Sequence, residues 1–353
     1  MKIKEKNDYL DHLERKILPG QSPVGGQIDL TYRCNLRCQH CFIVQEKDER
    51  ELTLQEIVSI IDEIHDAGCL GLSFSGGEVF LREDFLDIYA YARKKGFLIT
   101  ILTNGTLITE ATADYLAGLP PFCIDITING ITEKVYEEVT QVKGSFARLM
   151  RAIKLLRERS LPLTLKCNGM KINRDEILKI KNFSEEFLGK NRFRCDPVLY
   201  AGLDGSQKPC RLRLTPDEIL NMLGADKDML SLCREQYTHQ EDNAWLKEGF
   251  LFPCGLSSFQ IDPYGKMRLC SFIRKPCADI RKDGFLESFR RSYAYFHGLK
   301  AKADTECRKC TVRYLCRQCP GRALAENGDM ELPVAFFCEL THRQEKMRYK
   351  ALG

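Results

Sequence analysis

No stretch of this chain approaches the ~20 consecutive apolar residues that a membrane-spanning helix requires, which excludes that class. Its start, MKIKEKNDYLDHLERK, mixes both charges and lacks the apolar core and small-residue cleavage site of a secretory signal. A soluble, cytoplasmic protein with no membrane partner is the expectation. Charge of one sign is also scarce: 53 Lys and Arg against 49 Asp and Glu leave a formal +4, too little and too dispersed for a nucleic-acid footprint. Low-complexity segments, solenoid repeats and blocks of five like charges are missing, which removes disordered and repeat architectures. At 44% apolar and 29% charged over 353 residues, the composition is that of a globular chain long enough for two domains or one elaborated one.

Cysteine, by contrast, is abundant, with 17 residues. Disulfides or metal could occupy so many thiols. An odd total, dense short-spaced groups and no export signal favour metal.

From residue 27 to about 200, short apolar runs alternate with amphipathic helical patterns. Strands are predicted at 27–32, 69–74, 97–102, 122–128, 162–168 and 193–200. Between the first two, Thr53 and Glu56 form a capping box ahead of a helix whose Ile57, Ile60, Ile61 and Ile64 share one face, ended by Gly68. Phe85, Ile88, Tyr89 and Ala92 repeat that spacing before Gly96, and Phe146, Leu149, Met150, Ile153 and Leu156 mark a later helix. Six strand–helix units with right-handed crossovers imply an α/β fold, a parallel sheet curved into a partial (β/α)6 barrel; closure needs eight, and the rhythm stops after Tyr200. Thr215, Pro216 and Glu218 then open a helix expected to bridge two domains. The expected organisation is an N-terminal extension over 1–26, the barrel over 27–205, a bridging helical region over 206–249 and a small irregular, cysteine-rich domain over 250–353.

The sharpest local signal is Cys34-Asn-Leu-Arg-Cys38-Gln-His-Cys41, on the loop leaving the first strand. Three thiolates on one tight loop can hold three irons of a [4Fe–4S] cubane and leave the fourth iron open to a ligand. The same residues would also suit a zinc site with His40 as a candidate ligand, or plain structural cysteines. Their position at the C-terminal end of a parallel strand, where barrels place active sites, favours the cluster.

This CxxxCxxC pattern after a first strand resembles the signature of the radical S-adenosylmethionine (SAM) superfamily. The resemblance implies a partial six-unit barrel, an open iron that chelates the methionyl amine and carboxylate of SAM, and reductive cleavage to a 5′-deoxyadenosyl radical. Ser75-Gly76-Gly77-Glu78 resembles the family's GGE motif, whose backbone and acidic side chain meet the methionine ammonium; glycine admits close approach, and a carboxylate pairs with a cation. By the same resemblance Asn104, within Thr103-Asn104-Gly105, lies near the cofactor, although a plain turn would also account for it. Thr127 and Asn129 stand where relatives carry Ser-x-Asp-Gly beside the ribose, Asn129 offering hydrogen bonds without the charge. Lys166 and Asn168 are compatible with carboxylate or ribose contacts, or with a solvated strand end.

Toward the C-terminus, Cys254, Gly265, Cys270, Cys307, Cys310, Cys316, Cys319 and Cys338 resemble in order and spacing the SPASM domain of peptide-modifying radical enzymes. One interval departs, with two residues rather than three between Cys316 and Cys319. The resemblance assigns Cys254, Cys270 and Cys319 to a first auxiliary iron–sulfur cluster, and Cys307, Cys310, Cys316 and Cys338 to a second, both of the [4Fe–4S] type. Cys233, Cys210, Cys277 or an open iron would complete the first. A zinc ribbon on Cys307, Cys310, Cys316 and Cys319 would leave the other three cysteines unexplained. Cys69, Cys123 and Cys167 fall in strands and are read as small buried hydrophobes.

The leading reading is oxidative maturation of a ribosomally made peptide, by thioether or carbon–carbon cross-linking. No residue is singled out as its catalytic base. Anaerobic sulfatase maturation, which forms formylglycine, is the alternative; there an aspartate commonly follows the second SPASM cysteine, whereas here Ser271 follows Cys270, with Asp262 and Asp279 as substitutes. Small-molecule SPASM chemistry of the haem-pathway kind, and a non-catalytic metal scaffold, complete the field. A flavodoxin- or ferredoxin-type electron donor is implied. Only 33 residues precede Cys34, too few for an independent leader-binding domain, so the expectation is a separate leader-recognition protein, or a substrate held directly by the barrel and SPASM surfaces.

Overall fold

The computed structural model describes residues 23–44, 49–226, 228, 257–302, 305–316 and 319–350. Cys233 and Cys254 lie outside the described residues. Parallel strands β1 (Gly25–Thr31), β2 (Gly71–Gly76), β3 (Leu98–Thr103), β4 (Cys123–Thr127), β5 (Leu163–Asn168) and β6 (Phe193–Asp196) pair each with the next. Helices α1 (Leu54–Asp66), α2 (Phe85–Lys94), α3 (Glu110–Gly118), α4 (Glu133–Thr140), α5 (Ser145–Glu158) and α6 (Ile177–Leu188) lie in the crossovers. The Thr53–Glu56 capping box forms, and α1 buries the four isoleucines that its spacing placed on one face.

Strand alternation decides where chemistry can occur. Ile28, Leu30, Leu72, Phe74, Ile99, Ile101, Ile124, Ile126, Leu163 and Leu165 are buried, and belong to the same core as the apolar stripes of the helices. Successive side chains point to opposite faces, so the other face carries Gln27, Asp29, Thr31, Ser73, Ser75, Thr100, Asp125, Thr127, Thr164 and Lys166. Parallel sheets are ordinarily apolar on both faces. Here the second face is largely polar, with Leu98 and Leu102 of β3 as apolar exceptions.

The structure departs from the sequence reading at both ends of the sheet. β6 stops at Asp196 rather than continuing to Tyr200: Pro197 has no N–H for the ladder, and Val198 N–H donates to Asp196 Oδ1 at 3.1 Å, turning the chain. At the other end the sheet continues past β1. Strand β7 (Ser258–Ile261) runs parallel to β1 with Gly25 opposite Ser258, and β8 (Lys266–Arg268) and β9 (Ala278–Asp279) follow antiparallel, giving the order β6-β5-β4-β3-β2-β1-β7-β8-β9. A Cβ at position 26 would collide with the Phe259 ring, so glycine there lets β7 dock.

Helix α7 (Pro216–Gly224), opened by the Thr215–Glu218 capping box, packs against α10 (Ala335–Lys350), and α8 (Phe285–Gly298) packs against α1. Arg213 donates to both carboxylate oxygens of Glu326 in α9 (Pro320–Asn327), at 2.8 and 2.6 Å, with both side chains largely out of water. Among the described residues, no helix is long and apolar enough to cross a membrane.

Candidate active site at the C-terminal edge of the sheet

The loop bearing Cys34, Cys38 and Cys41 leaves β1 at the C-terminal edge and is held from two sides. Arg37 and Gln39 N–H groups donate to the Thr140 and Val139 carbonyls at the end of α4, both at 3.0 Å, and the Gln39 side chain donates to Glu138 O at 2.7 Å. From the β2 side, Gly77 N–H donates to Thr31 O at 2.7 Å and Glu78 N–H to Arg33 O at 2.9 Å. A Cβ on Gly76, whose φ is +139°, would collide with the Thr31 carbonyl oxygen, and one on Gly77 with that of Arg33. The close approach that demands these glycines is to the stem of the cysteine loop.

The three thiols act on one another. Burial, then the neighbouring Cys41 and Cys34 sulfurs, push the Cys38 thiol up to about 12; burial also raises Cys34 and Cys41. Leu36 N–H and Asn104 Nδ2 donate to Cys34 Sγ at 3.4 and 3.8 Å. A cationic metal would offset such repulsion, since the ligating form is the thiolate, although among the described residues no three His, Cys, Asp or Glu side chains stand in a metal-holding arrangement. Asn104 also donates to Asn35 Oδ1 at 2.9 Å and accepts from Thr106, tying the β3 end to the loop.

Glu78 is fully buried. Its carboxylate accepts from Thr103 Oγ1 at 2.6 Å, Asn104 N–H at 2.8 Å and Phe80 N–H at 3.2 Å, while burial raises its pKa. Three donors leave room for about one more among a carboxylate's roughly four acceptor positions. Glu78 therefore joins the ends of β2 and β3 besides any ligand it meets. Ser75 stands on the same polar face, opposite Asp29 in the β1–β2 register.

Behind the loop lies a carboxamide network that the sequence did not announce. His40 Nε2 is 3.3 Å from Asn129 Nδ2 and 3.4 Å from Asn168 Nδ2, and its Nδ1 is buried without a partner. Asn129 Oδ1 accepts Asn168 N–H at 2.8 Å, and Asn173 Nδ2 donates to the carbonyls of Asn129 and Asn168 at 3.1 and 2.9 Å. Burial lowers the His40 pKa to about 4, leaving a neutral ring. Lys166, opposite Thr127 in register, forms an ion pair with buried Asp125 on the polar face, so its charge is already matched there.

Among the C-terminal cysteines, burial, then Cys316, Cys307 and Cys310, push the Cys338 thiol on α10 up to about 11, and burial, then Cys316 and Cys310, raise that of Cys307. Cys270 lies against Gly321, two residues after Cys319. A Cβ on Gly321 would lie 2.8 Å from Cys270 Sγ, and Cys319 caps α9, its Sγ accepting Arg322 N–H at 3.4 Å. Cys210 instead lies beside Glu326, its Sγ 3.9 Å from Oε2, and Cys277 is half-buried just before β9. Asp262 is consumed by its turn, accepting from Tyr264 N–H, Lys266 N–H and, at 2.6 Å, Arg268; Asp279 pairs with Lys266.

One wall joins these groups. Phe42, next to Cys41, faces Phe272, two residues after Cys270, at 6.4 Å between ring centroids; Phe272 meets Tyr200 at 5.7 Å, and Tyr200 meets Phe337, next to Cys338, at 6.1 Å. Arg322 lies 4.0 Å from the Tyr200 ring centroid, and Tyr200 Oη donates to Asp196 Oδ2 at 2.9 Å. An open cleft of about 540 Å³ adjoins, lined by Leu203, Phe272, Arg274, Lys275, Leu324 and Glu326 among others. Aromatics one or two positions from cysteines were the sequence signal for this wall.

Residues 28–184 match the family described as the Radical SAM superfamily. Over 322 residues, the chain is 24% identical to an AdoMet-dependent heme synthase of Methanosarcina barkeri, covering 85% of this chain and 92% of that protein. It is 28% identical over 184 residues to the PqqA peptide cyclase of Granulibacter bethesdensis, about half of each chain (52% and 49%). Streptococcus suis SuiB, solved bound to the precursor peptide SuiA, has a similar fold: TM-score 0.70 at 16% identity, over 92% of this chain and 78% of that one.

Proposed function

Because this chain is a radical SAM superfamily enzyme with a cysteine-rich C-terminal region of the SPASM type, we propose that it uses a SAM-derived radical to modify a peptide, closing an oxidative thioether or carbon–carbon cross-link. When bound, a [4Fe–4S] cluster supplies the electron that cleaves SAM reductively. Cys34, Cys38 and Cys41 would hold it, and Ser75, Gly76, Gly77, Glu78, Asn104, Thr127, Asn129 and Lys166 are proposed to line the SAM site. Two auxiliary clusters would rest on Cys254, Cys270 and Cys319, and on Cys307, Cys310, Cys316 and Cys338. The observation that supports the reading is the aromatic wall: Phe42, next to Cys41, packs on Phe272, and Phe272 lines an open cleft whose size suits a short peptide segment. A separate leader-recognition protein and a flavodoxin- or ferredoxin-type donor belong to the same proposal.

The near full-length alignment to a heme synthase favours a second reading, a tetrapyrrole-like small molecule in that cleft. Incubating the reconstituted enzyme with SAM, a reductant and either a short peptide encoded beside its gene or an iron porphyrin precursor separates the two. Cross-linked peptide with 5′-deoxyadenosine supports the first; turnover of the porphyrin alone rejects it. Alanine at Cys34, Cys38 and Cys41 together is expected to abolish 5′-deoxyadenosine while auxiliary iron remains.

A further inference from the structure

Cys167, read above as a small buried hydrophobe, and Cys195 belong to none of the candidate cluster groups. The β5–β6 register sets them directly opposite each other on neighbouring strands. Both are free; Cys167 is buried and Cys195, on the edge strand, is half-buried. Adjacent strands lie about 4.7–4.9 Å apart, inside the 4.4–6.8 Å range of Cα separations that a disulfide spans. β6 has four residues and, among the described residues, no strand on its outer side, so it can make the small approach a bridge requires. The Cys195 thiol, more than burial, raises the pKa of Cys167, as expected of two sulfurs facing each other.

We propose that Cys167 and Cys195 form a dithiol modification site that a small-molecule disulfide converts to a protein disulfide. Cys195, the less buried of the two, attacks one sulfur of oxidised glutathione through its own sulfur, forming a Cys195–glutathione bond and releasing one glutathione. Cys167 then attacks Cys195 Sγ, the protein S–S bond forms and the second glutathione leaves. The two protein thiols give up two electrons and two protons, which end on the two glutathione thiols. The site connects to the carboxamide network, because Asn173 Nδ2 donates to Cys167 Sγ at 3.6 Å as well as to the Asn129 and Asn168 carbonyls.

The test uses anaerobically reconstituted holoenzyme, whose cluster cysteines are protected by iron, treated with oxidised glutathione, alkylated and digested without reduction. Mass spectrometry is expected to find one cross-linked peptide joining 167 and 195. In Cys167→Ser the Cys195–glutathione adduct should persist at least tenfold longer than in the parent enzyme, and in Cys195→Ser no adduct should form at Cys167. Iron content and far-ultraviolet circular dichroism report whether each serine variant is folded, and the parent enzyme's peptide map stands independently of both. A stable adduct on Cys195 with Cys167 still free to alkylate in the parent enzyme, or no reaction at either position, would overturn the proposal.

Discussion

Gly77→Ala is the sharpest perturbation of the cysteine loop that the structure offers. The added Cβ would collide with Arg33 O and sit 2.7 Å from its carbonyl carbon and 2.8 Å from Tyr32 O, all backbone atoms that no rotamer change can move aside. Restoring ordinary separations of about 3.5–4.0 Å forces the loop stem back by about 1 Å. Overpacking of this kind costs about 1–3 kcal/mol. The retreat also stretches the Gly77-to-Thr31 and Glu78-to-Arg33 hydrogen bonds, about 0.5–1.5 kcal/mol each. The total is a destabilisation of about 2–6 kcal/mol concentrated at the stem of the three-cysteine loop. Gly96→Ala is the control: φ there is +93° with nothing within 4 Å of the added Cβ, so only backbone strain of about 1–2 kcal/mol is expected. Urea unfolding of the iron-free proteins measures the first quantity, and iron per chain after anaerobic reconstitution measures the second. Gly77→Ala should lose about four irons, one cubane's content, while Gly96→Ala keeps them. A Gly77→Ala protein with parental stability and full iron would refute the reasoning.

Asp29 is buried, with Gln27, Gln260 and Tyr32 as hydrogen-bond donors, and desolvation raises its pKa to about 6. Against about 3.9 in the unfolded chain, the native state holds the proton more tightly; this contribution is full below pH ~4 and is lost as pH rises through about 6, some 2–3 kcal/mol in all. Asp29→Asn should flatten that part of the stability–pH curve measured by urea unfolding between pH 4 and 8, and parallel curves would contradict it. Arg213→Met should cost about 3–5 kcal/mol by leaving Glu326 buried and unpaired, and adding Glu326→Leu should recover most of it; a double-mutant cycle with no coupling would show the pair to be inert.

The six-strand rhythm was legible because its signals are local: a short apolar run and an amphipathic helical stripe alternate within each unit, and a capping box and a glycine bracket the first helix. The cysteine loop was legible for the same reason. The β1–β7 pairing was not, since matching Gly25 to Ser258 depends on two distant segments, one of them only four residues long. Side-chain partnerships were equally hidden. Spacing placed Glu78 and Lys166 at strand ends, but only the folded register reveals that Thr103, Asn104 and Phe80 already engage one and Asp125 the other. Asn173, which organises the network behind His40, belongs to no motif and had no signal in one sequence.

The order in which this sheet can be made on the ribosome differs from the order in which it is stacked. β1 emerges early, yet its second neighbour, β7, is encoded some 230 residues later. At about 5–20 residues per second, the strand that carries the three-cysteine loop spends roughly 10–50 s with one edge uncovered. During that interval Asp29 has Gln27 but not Gln260, and Gly26 has no Phe259 ring above it. Until the C-terminal segment arrives, the strand that carries the three-cysteine loop can be paired only along its β2 edge.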